Sequence, residues 1–447
     1  METARTRPVG LRLGGIGRAR GMMMAGVEGG GGGGPVSRFN KMTIYDLKGY
    51  LRGQRVLVRV DFNVSDKKTG EIKSDTRIRA AFPTLEYLVA EGAQVVVISH
   101  NERPKDLLKD GIPEAEVRSR LSLRQAAEKL GDLFDCPVRF VGDTIGPKVR
   151  EAVSHLVDGE VILLENTRFY PQDEKGDMDF ARQIVADTGA KFFVLDGFSV
   201  AHRNQSSVTG VANAVKENGG VAVAGHLLQQ EIDFLGKALI ENPKRPYVAF
   251  MGGAKVGDKI KVIENLLERV DALVIGGAMV YPFMRAKEQF AGSDPLGRTD
   301  MEIAADVESA RRILTGPHCR KVILPWKMVM ADNRIKDVDE EALSKLLMEK
   351  IDAGLGVPGT IVWNGPFGKF EVFPYNRGTM MLLGYISQKN KAGAITITGG
   401  GDTEKMIKVA KQAGMEVRFS HISTGGGAML ELLEGKELPG LAVLNNR

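Results

Sequence analysis

Cysteine is scarce in this chain, with only Cys136 and Cys319 among 447 residues. The two lie far apart and match neither a metal-binding spacing nor a disulfide framework, so we expect a reducing compartment. Long apolar runs are also missing, because none approaches the roughly 18 residues that a membrane-spanning helix needs. We therefore expect no membrane partner, and the chain is long enough for two domains.

Most of the chain, residues 42–447, has no excess of positive or negative charge. The formal net charge is +5. Residues 1–41 contain seven basic and two acidic residues, and this difference accounts for the whole of it. A nucleic-acid partner is therefore not expected.

The first 41 residues differ in character from the rest. They include three consecutive methionines and six consecutive glycines, without apolar periodicity, and we predict a disordered N-terminal extension over 1–41. Their arginine-rich, acid-poor composition is compatible with an organelle transit peptide, although Ser37 is their only serine, and a true start at Met42 is equally compatible. We expect a cytoplasmic protein, or one in a plastid, mitochondrion or similar organelle if 1–41 is a transit peptide.

From Met42 onward, apolar β-rich runs alternate with helical patterns, which predicts parallel sheets covered by helices. In the first half we predict strands at Val56–Val60, Gln94–Ser99, Val138–Val141, Val161–Leu164 and Phe192–Leu195, with helices such as Ala80–Glu91 and Leu123–Leu133 between them. Val221–Asn242 has the pattern of a long helix, which we expect to connect two domains. In the second half we predict strands at Tyr247–Met251, Ala272–Ile275, Lys321–Leu324, Thr360–Trp363 and from Ala394, and helices at Ile260–Val270 and Met429–Leu433.

Basic side chains follow the predicted strands of the first half. Ligands of such folds gather beyond the carboxyl ends of the strands. Guanidinium groups brought together there repel one another unless an anion lies between them, and their geometry matches phosphate and carboxylate oxygens. The pattern predicts a small, multiply anionic metabolite, and the residues that carry it are Arg59, Arg77, Arg103, Arg168, Arg203, His100 and His202.

Glycine-rich corners follow the strands of the second half, at 252–253, 276–277, 399–401 and 425–427. Glycines at a strand end let backbone N–H groups approach a phosphate closely. Asp402, just after one corner, could hold the Mg²⁺ that accompanies a nucleotide. Lys255 and Lys259 stand near a helix start, where a lysine opposes the helix dipole but suits a phosphate. Neither the P-loop nor the dinucleotide fingerprint is present, which disfavours the two commonest classes of nucleotide site.

Several ordered motifs together give the chain a family resemblance. They are Arg59-Val-Asp-Phe-Asn63, Thr76-Arg-Ile78, Leu163-Leu-Glu-Asn-Thr-Arg-Phe-Tyr170, Ala201-His-Arg203, Gly252-Gly-Ala-Lys-Val-Gly-Asp-Lys259, Val362-Trp-Asn-Gly-Pro366, Gly399-Gly-Gly-Asp402 and the run from Ser423 to Lys436. With these motifs the chain resembles the phosphoglycerate kinase family from about Thr43 to Leu444. The resemblance implies an α/β fold of two doubly wound parallel-sheet (Rossmann-like) domains, at 42–220 and 243–424. A hinge helix at 221–242 would join them, and the C-terminal segment 425–447 would pack back on the first domain.

The resemblance also implies an activity and two sites. The activity is reversible transfer of the acyl phosphate of 1,3-bisphosphoglycerate to Mg-ADP, giving 3-phosphoglycerate and Mg-ATP. The implied phosphoglycerate-binding residues are Arg59, Asp61, Phe62, Asn63, Arg77, His100, Arg103, Arg168, His202 and Arg203. The implied nucleotide-binding residues are Gly252, Gly253, Ala254, Lys255, Lys259, Gly276, Gly277, Asn364, Gly365, Pro366, Glu371, Gly399, Gly400, Gly401, Asp402, Thr403, Gly425 and Gly426, with Asp402 as the ligand of Mg²⁺.

A carboxylate acceptor needs no general base, so we expect catalysis by positioning and charge neutralisation. Arg77 and Lys255, one from each domain, are the expected clamp on the transferring phosphoryl group. The resemblance suggests a monomer with small-molecule substrates as its only partners.

A few positions depart from the family pattern. Glu102 stands where the family has glycine, Gln205 where it has a histidine and Ser65 where it has a proline, and the span from Asp332 to Trp363 is shorter than usual. Two alternatives therefore stay open beside the working kinase. One is a catalytically weakened protein that binds a nucleotide or a partner, and the other is a related phosphotransferase for a different anionic acid.

Overall fold

The computed structural model describes residues 37–135, 138–253, 257–289 and 292–447. Residues 1–36, most of the predicted N-terminal extension, lie outside this range. Within the described residues, no helix combines the length and the apolar character needed to cross a membrane.

The first sheet contains six strands, all parallel, in the spatial order β3-β4-β2-β1-β5-β6. Its strands are β1 (Arg55–Val60), β2 (Gln94–Ile98), β3 (Arg139–Val141), β4 (Val161–Leu164), β5 (Phe192–Asp196) and β6 (Val221–Ala224). The order reverses between β1 and β5, as in a doubly wound sheet. Both faces are covered by helices, so continuous apolar runs are stable here, and Leu57 and Val58 are both fully buried although they point to opposite faces.

The helices of the first half lie between these strands and after them. They are α1 (Thr76–Ala90), α2 (Pro104–Lys109), α3 (Glu114–Leu121), α4 (Arg124–Phe134), α5 (Pro147–Ser154), α6 (Pro171–Lys175), α7 (Met178–Thr188), α8 (Val211–Glu217) and α9 (His226–Glu231). A π-helical segment, Ile232–Glu241, continues α9, and a second, Ser206–Gly210, precedes α8.

The second half repeats the architecture. Its six-stranded sheet has the order β14-β13-β12-β7-β8-β9, again all parallel, and a separate hairpin pairs β10 with β11. These strands are β7 (Tyr247–Met251), β8 (Ala272–Ile275), β9 (Val322–Ile323), β10 (Met328–Ala331), β11 (Arg334–Val338), β12 (Thr360–Asn364), β13 (Ile395–Gly399) and β14 (His421–Ser423). The helices are α10 (Ile260–Arg269), α11 (Val280–Ala286), α12 (Asp300–Thr315), α13 (Glu340–Lys345), α14 (Arg377–Lys391), α15 (Thr403–Gln412), α16 (Gly427–Leu433) and α17 (Pro439–Ala442). The predicted α/β class with two doubly wound parallel sheets is confirmed.

The predicted helix Val221–Asn242 is wrong in its first five residues. Val221–Ala224 forms β6, which pairs in parallel with Phe192–Leu195 of β5. Gly225 then turns the chain, and the helix begins at His226 because Asp196 of the neighbouring strand accepts hydrogen bonds from the amides of Leu227 and Leu228, at 3.0 and 3.3 Å. A carboxylate at this place satisfies amides that a helix start leaves without partners.

The predicted disorder of 1–41 does not hold for its last four residues. Phe39 is buried, with its ring against Gly236. Lys41 forms an antiparallel bridge with Asn446. The C-terminal residues also pair with the first sheet, since the amide of Asn445 donates to Ala222 O at 2.9 Å and its side chain accepts from the amide of Ala222 at 3.0 Å.

Candidate active site

Basic side chains line a cavity of about 430 Å³ beyond the carboxyl edge of the first sheet. We call it the arginine cavity. Its walls are formed by Asp61, Asn63, Arg77, His100, Glu102, Arg103, Asp106, Arg168, Ser199, Val200, His202, Arg203 and residues 424–427. Six of the seven basic residues singled out in the sequence therefore meet at one place, because the loops that follow β1, β2, β4 and β5 leave the same edge of a parallel sheet.

Arg77 is held at the mouth of this cavity by Asp61. Its Nη1 donates to Asp61 Oδ2 at 2.8 Å and to the carbonyl oxygen of Asn63 at 3.3 Å. Ser199 Oγ donates to the same carboxylate oxygen of Asp61. A guanidinium offers five N–H donors, and these contacts use one nitrogen only, so Arg77 is oriented while other donors stay available for an anion.

Arg59 lies behind the cavity and does not line it. The side chain is fully buried, with Nε donating to Ser207 Oγ at 3.1 Å and Nη2 to His100 Nδ1 at 3.1 Å. Burial lowers the pKa of Arg59 to about 10, which leaves it charged at neutral pH. Arg59 therefore supplies positive charge from beneath and orients His100.

His100 is neutral in this environment. Burial and the nearby arginines, Arg168 first among them, lower its pKa well below the usual value. Since Nδ1 accepts from Arg59, the ring proton is on Nε2, which lies 3.9 Å from Asp61 Oδ1. The arginines that disfavour a protonated histidine here equally favour a bound anion.

Arg168 is the most enclosed of the lining arginines. Its Nη1 donates to the backbone oxygen of Glu102 at 2.7 Å, and its side chain is only 9% exposed. The buried Nε has no hydrogen-bond partner among the described residues, although Glu174 Oε1 lies 3.9 Å away. An unsatisfied buried donor in a positive cavity is what a bound phosphate or carboxylate would satisfy.

A buried asparagine pair fixes the loops that carry these arginines. Asn166 Nδ2 donates to the carbonyl oxygens of Asn101 and Leu121, at 2.7 and 3.0 Å, and its Oδ1 accepts from the amides of Asn101 and Arg168, both at 3.1 Å. The loops after β2 and β4 are thus joined through one side chain. Such a fully satisfied polar network restrains the loops and pre-positions the basic groups.

Phe62, Gln205 and His202 differ in whether they line the arginine cavity. Phe62 is buried in the core and does not line the cavity, while its amide donates to Ser99 Oγ at 2.8 Å. Gln205 is also buried and is not one of the lining residues, so a glutamine here leaves the charge of the cavity wall unchanged. His202 does line it, and burial, followed by Arg203, lowers its pKa.

Sequence reasoning did not single out Ser199, Asp106 or Thr424, although all three line the cavity. Thr424 belongs to the run from Ser423 to Lys436, whereas Ser199 precedes the motif Ala201-His-Arg203, and neither residue type by itself indicates a site. Their proximity to the arginines is a product of the tertiary fold. Asp106 pairs with Lys67 at 3.5 Å.

The glycine corners of the second half pack on one another. The amide of Gly252 donates to Asn364 O, that of Gly253 to Pro366 O and that of Gly276 to Met251 O, each at 2.9 Å. A Cβ on Gly276 would lie 2.4 Å from the ring of Phe367, and one on Gly365, whose φ is +86°, would lie 2.4 Å from Gly252 O. Larger residues would separate these loops, so the glycines are required for the close backbone approach that a phosphate site uses.

Polar side chains complete this corner. Lys259 Nζ donates to Gly252 O at 2.8 Å, and Asn364 Nδ2 donates to Gly399 O at 2.7 Å. Asn364 therefore connects the corner after β12 with the corner after β13. Ala254 and Lys255, expected in the nucleotide site, lie outside the described residues. Glu371 is exposed and makes no ion pair or hydrogen bond with any described residue.

Asp402 is the N-cap residue of α15, and its carboxylate is about half exposed. Lys405 Nζ lies 3.2 Å from Asp402 Oδ1. Within the described residues, no three or more His, Cys, Asp or Glu side chains come close enough to hold a metal ion by themselves. A single exposed carboxylate beside a glycine corner fits Mg²⁺, which takes one or two carboxylates together with phosphate oxygens.

A larger cleft, about 990 Å³, lies between the two sites. One wall carries residues of the first half from Asn63 to Glu102, and the other carries Gly400, Gly401, Thr403 and one face of α15. Asn63, Arg77, Glu102, Thr424 and Gly426 line both the cleft and the arginine cavity. The arginine cavity and the corner after β13 therefore open onto the same space.

Gly425 and Gly426, expected in the nucleotide site, line the wall of the arginine cavity. A Cβ on Gly425 would lie 2.4 Å from the ring of Phe198, in the first half. Gly426 faces the cleft as well as the cavity. These two glycines thus lie where the halves of the molecule meet.

A buried carboxylate links α9 to this junction. Glu231 is fully buried and accepts hydrogen bonds from the amide and the hydroxyl of Thr424, at 2.7 and 2.9 Å. His421 Nε2 lies 2.8 Å from its other oxygen. A displacement of α9 would therefore move Thr424, which lines both cavities.

Comparisons with known proteins agree on one family. The family profile described as "Phosphoglycerate kinase" matches residues 44–436. The chloroplastic phosphoglycerate kinase of Volvox carteri is 41% identical over 423 residues, covering 91% of this chain and 87% of that protein. The phosphoglycerate kinase of Desulforudis audaxviator is 41% identical over 426 residues, covering 91% of this chain and all of that protein.

Solved structures give the same result. The phosphoglycerate kinase from Coxiella burnetii is similar with a TM-score of 0.70 and 31% identity, covering 90% of this chain and 98% of that one. The enzyme from Pyrococcus horikoshii OT3 has a TM-score of 0.72 and 28% identity, with the same coverage.

Proposed function

The chain belongs to the phosphoglycerate kinase family, and on this premise we propose which of its residues hold each substrate and carry the transfer. It is a phosphotransferase, which reversibly transfers the acyl phosphate of 1,3-bisphosphoglycerate to Mg-ADP to give 3-phosphoglycerate and Mg-ATP. The observation that carries our assignment of residues is the arginine cavity, which opens onto the same cleft as the glycine corner after β13.

The arginine cavity holds the phosphoglycerate. Its phosphate and carboxylate require several cationic donors, and Arg103, Arg168 and Arg203 supply them from different loops. Arg168 contributes its unsatisfied Nε. Arg59 contributes charge from below, and Asp61 and Asn63 fix the position of Arg77.

The glycine corners hold the nucleotide on the second half. The glycines at 252–253, 276–277 and 399–401 let the nucleotide approach the backbone closely, while the amides of Gly252, Gly253 and Gly276 keep their hydrogen bonds between the corners. Lys259 and Asn364 hold the loops together. Asp402 would hold the Mg²⁺ that accompanies the phosphates, in place of its contact with Lys405. When bound, the metal supplies positive charge next to the phosphate oxygens.

Phosphoryl transfer itself needs no general base. In the direction of ATP consumption, a carboxylate oxygen of 3-phosphoglycerate forms a bond to the γ-phosphorus while the bond to the β,γ-bridging oxygen breaks and ADP leaves. Arg77 from the first half stabilises the charge on the transferring group through its free N–H donors. Lys255 takes the matching role from the second half.

The two substrates sit on opposite walls of the cleft, so the halves must approach each other before transfer. We assign domains to 42–220 and 243–424, with the connection at 221–242 and the C-terminal segment at 425–447 returning to the first domain. The helical part of the connection is His226–Glu241, and Glu231 couples it to Thr424. Closure about this helix aligns donor and acceptor and excludes water.

The compartment and the oligomeric state are further proposals. We place the protein in the cytoplasm as a monomer. An organelle is the alternative, and the relatives from Volvox carteri and Chlamydomonas reinhardtii are chloroplastic. Fusion of residues 1–41 to a fluorescent protein tests the first proposal, and light scattering during gel filtration tests the second.

The proposed roles are tested by ATP- and Mg²⁺-dependent phosphorylation of 3-phosphoglycerate with the full chain. Arg77→Ala and Lys255→Ala are assayed in parallel with the unmodified protein. We expect activity that collapses in both variants, while calorimetry still detects binding of each substrate. Activity that survives in either variant would refute the proposed clamp.

A further inference from the structure

Glu102 has a backbone conformation that favours glycine. Its φ is +51°, in the left-handed region that is strained for an L-residue. The loop needs this conformation, because the amide of Glu102 donates to Asn63 Oδ1 at 2.8 Å and its carbonyl oxygen accepts from Arg168 at 2.7 Å. Glycine would make both bonds without the strain, so the glutamate side chain is tolerated at a cost.

The carboxylate of Glu102 has no partner on its own side of the cleft. It lines both the arginine cavity and the cleft, and it makes no hydrogen bond or ion pair with any described residue. The other two acidic residues of the cavity differ, since Asp61 pairs with Arg77 and Asp106 with Lys67. Glu102 is thus the acidic group that is left uncompensated among the described cavity residues.

The opposite wall of the cleft carries lysines that are also uncompensated. It is formed by Glu404, Ile407, Lys408 and Lys411 of α15, whose spacing places them on one helix face. Lys408 and Lys411 make no ion pair with any residue in the described ranges. Lys405, off this face, pairs with Asp402 instead.

We propose that Glu102 forms an ion pair with the lysine pair Lys408–Lys411 when the cleft closes, and so acts as an electrostatic latch between the two halves. The inference rests on the proposed closure of the cleft. Opposite charges on facing walls attract weakly at long range, because salt screens them beyond about 8–10 Å. The pair therefore favours the closed state specifically, and Glu102 is a positioning residue that touches no reacting atom.

A simpler effect of the same carboxylate has the opposite sign. Glu102 next to an anionic phosphoglycerate would repel it and raise the KM for this substrate alone. A latch stabilises the closed state and thereby lowers the KM for both substrates, including the ATP that Glu102 does not contact. The two effects are therefore separable by measuring both constants.

The test uses the full chain with Glu102→Gln, which removes the charge and keeps the side-chain size. It also uses Lys408→Gln/Lys411→Gln and the combination of all three changes. KM and kcat are measured for 3-phosphoglycerate and ATP at low and at high salt. X-ray scattering measures the radius of gyration with and without both substrates.

At low salt, we expect Glu102→Gln to raise both KM values by about two- to fivefold, the range of a solvent-accessible ion pair. The same change in the lysine-free background should raise neither, which isolates the pairwise coupling. The effect should vanish at about 1 M salt, where the Debye length falls to about 3 Å. Matched exposed changes away from the cleft, Glu86→Gln and Lys350→Gln, should leave both constants unchanged.

Three outcomes would overturn the latch. In the first, the unmodified protein compacts with substrates, but the effects of Glu102→Gln and of the two lysine changes on KM are additive. Glu102 and the lysines then do not interact. If Glu102→Gln lowers the KM for 3-phosphoglycerate in both backgrounds and leaves that for ATP unchanged, the carboxylate acts only by repulsion. A protein that turns over without compacting would refute the proposed closure itself, and the latch with it.

Discussion

The first half of the molecule meets its ligand with charged side chains, whereas the second half meets its ligand mainly with backbone. In the arginine cavity, Arg77 projects from the first turn of α1, and Arg103, Arg168 and Arg203 project from the segments after β2, β4 and β5. In the glycine corners, close contacts between Gly252, Gly276, Gly365 and their neighbours leave room for backbone only.

The two sites depend on different kinds of residue for their geometry. The arginine cavity depends on buried polar side chains behind it, such as Asn166 and Arg59, which orient the loops and their basic groups. The glycine corners depend on the absence of side chains. Loss of a charge should therefore damage the first site most, and addition of a methyl group should damage the second.

The largest effect is expected from Arg77→Ala. This change removes the guanidinium that we place on the transferring phosphoryl group, and kcat should fall by about 10²- to 10³-fold, the usual effect of losing one such donor. Steady-state kinetics in the direction of ATP consumption measures it.

Arg79→Ala is the matched control for Arg77→Ala. Arg79 lies on the same helix, but it is exposed and pairs with Asp75 on the outside, at 2.8 Å. Its removal should leave kcat within about twofold, since an exposed ion pair contributes little. Equal losses in the two variants would mean that the position of Arg77 at the cavity is unimportant.

The second site should respond to a single methyl group. In Gly276→Ala the added Cβ would lie 2.4 Å from the ring of Phe367, so the corner must open. We expect the KM for ATP to rise about 10- to 100-fold through misplacement of the phosphates. Calorimetric binding of 3-phosphoglycerate should be unchanged.

Gly384→Ala provides the control for this steric effect. A Cβ there would make only an ordinary contact, 3.7 Å from Met415 Cε, on a helix outside the site. ATP binding should be retained. If Gly276→Ala also binds ATP normally, the contact between the corners after β8 and β12 is not needed for the nucleotide.

One acidic residue, the buried Asp337, lies beside the glycine corners, so the second site does not depend on backbone alone. Asp337 accepts hydrogen bonds from the amides of Val338 and Gly378, both at 2.8 Å, and it packs against Gly368, where an added Cβ would clash with Asp337 Oδ1. Burial raises its pKa to about 7, from 3.8. In the folded protein Asp337 therefore keeps its proton at pH values where the unfolded chain has lost it.

The consequence is a pH-dependent stability. The contribution of the protonated Asp337 is fully present below about pH 4 and is lost as the pH rises through 7, by up to about 1.4 kcal/mol per pH unit. Asp337→Asn should remove this part of the slope. Denaturant unfolding at pH 5, 6, 7 and 8 measures it, and parallel slopes for the two proteins would contradict the assignment.

Much of this architecture was predictable from the sequence because parallel strands are continuous apolar runs. The predicted strand Val161–Leu164 agrees exactly with β4, and Tyr247–Met251 with β7. The loops after such strands must share one edge, so the meeting of Arg77, Arg103, Arg168 and Arg203 also followed. The family resemblance added the order of the sites and the identity of the substrates.

What could not be predicted depends on contacts between distant parts of the chain. The apolar run Val221–Ala224 is only four residues long, too short to distinguish a strand from the start of a helix. Pairing with β5 makes it a strand. Arg59 looks like another cavity arginine until Ser207 and His100 are found beside it in the core. Gly425 has the pattern of a nucleotide corner, yet its neighbour is Phe198 of the other half.

The smallest expected effect concerns Glu102, which combines a feature of each site. Glu102 is a charged side chain of the first site on a backbone with the positive φ that glycine provides elsewhere. Glu102→Gly should therefore raise the free energy of unfolding by about 1 kcal/mol, because the left-handed conformation costs glycine nothing. Glu102→Gln keeps the strain and should leave this free energy unchanged. Denaturant titration of the two variants beside the unmodified protein measures the difference. A glycine variant that is less stable than both others would show that the glutamate side chain stabilises the open protein, and the reason for its presence would then lie within the first half instead of across the cleft.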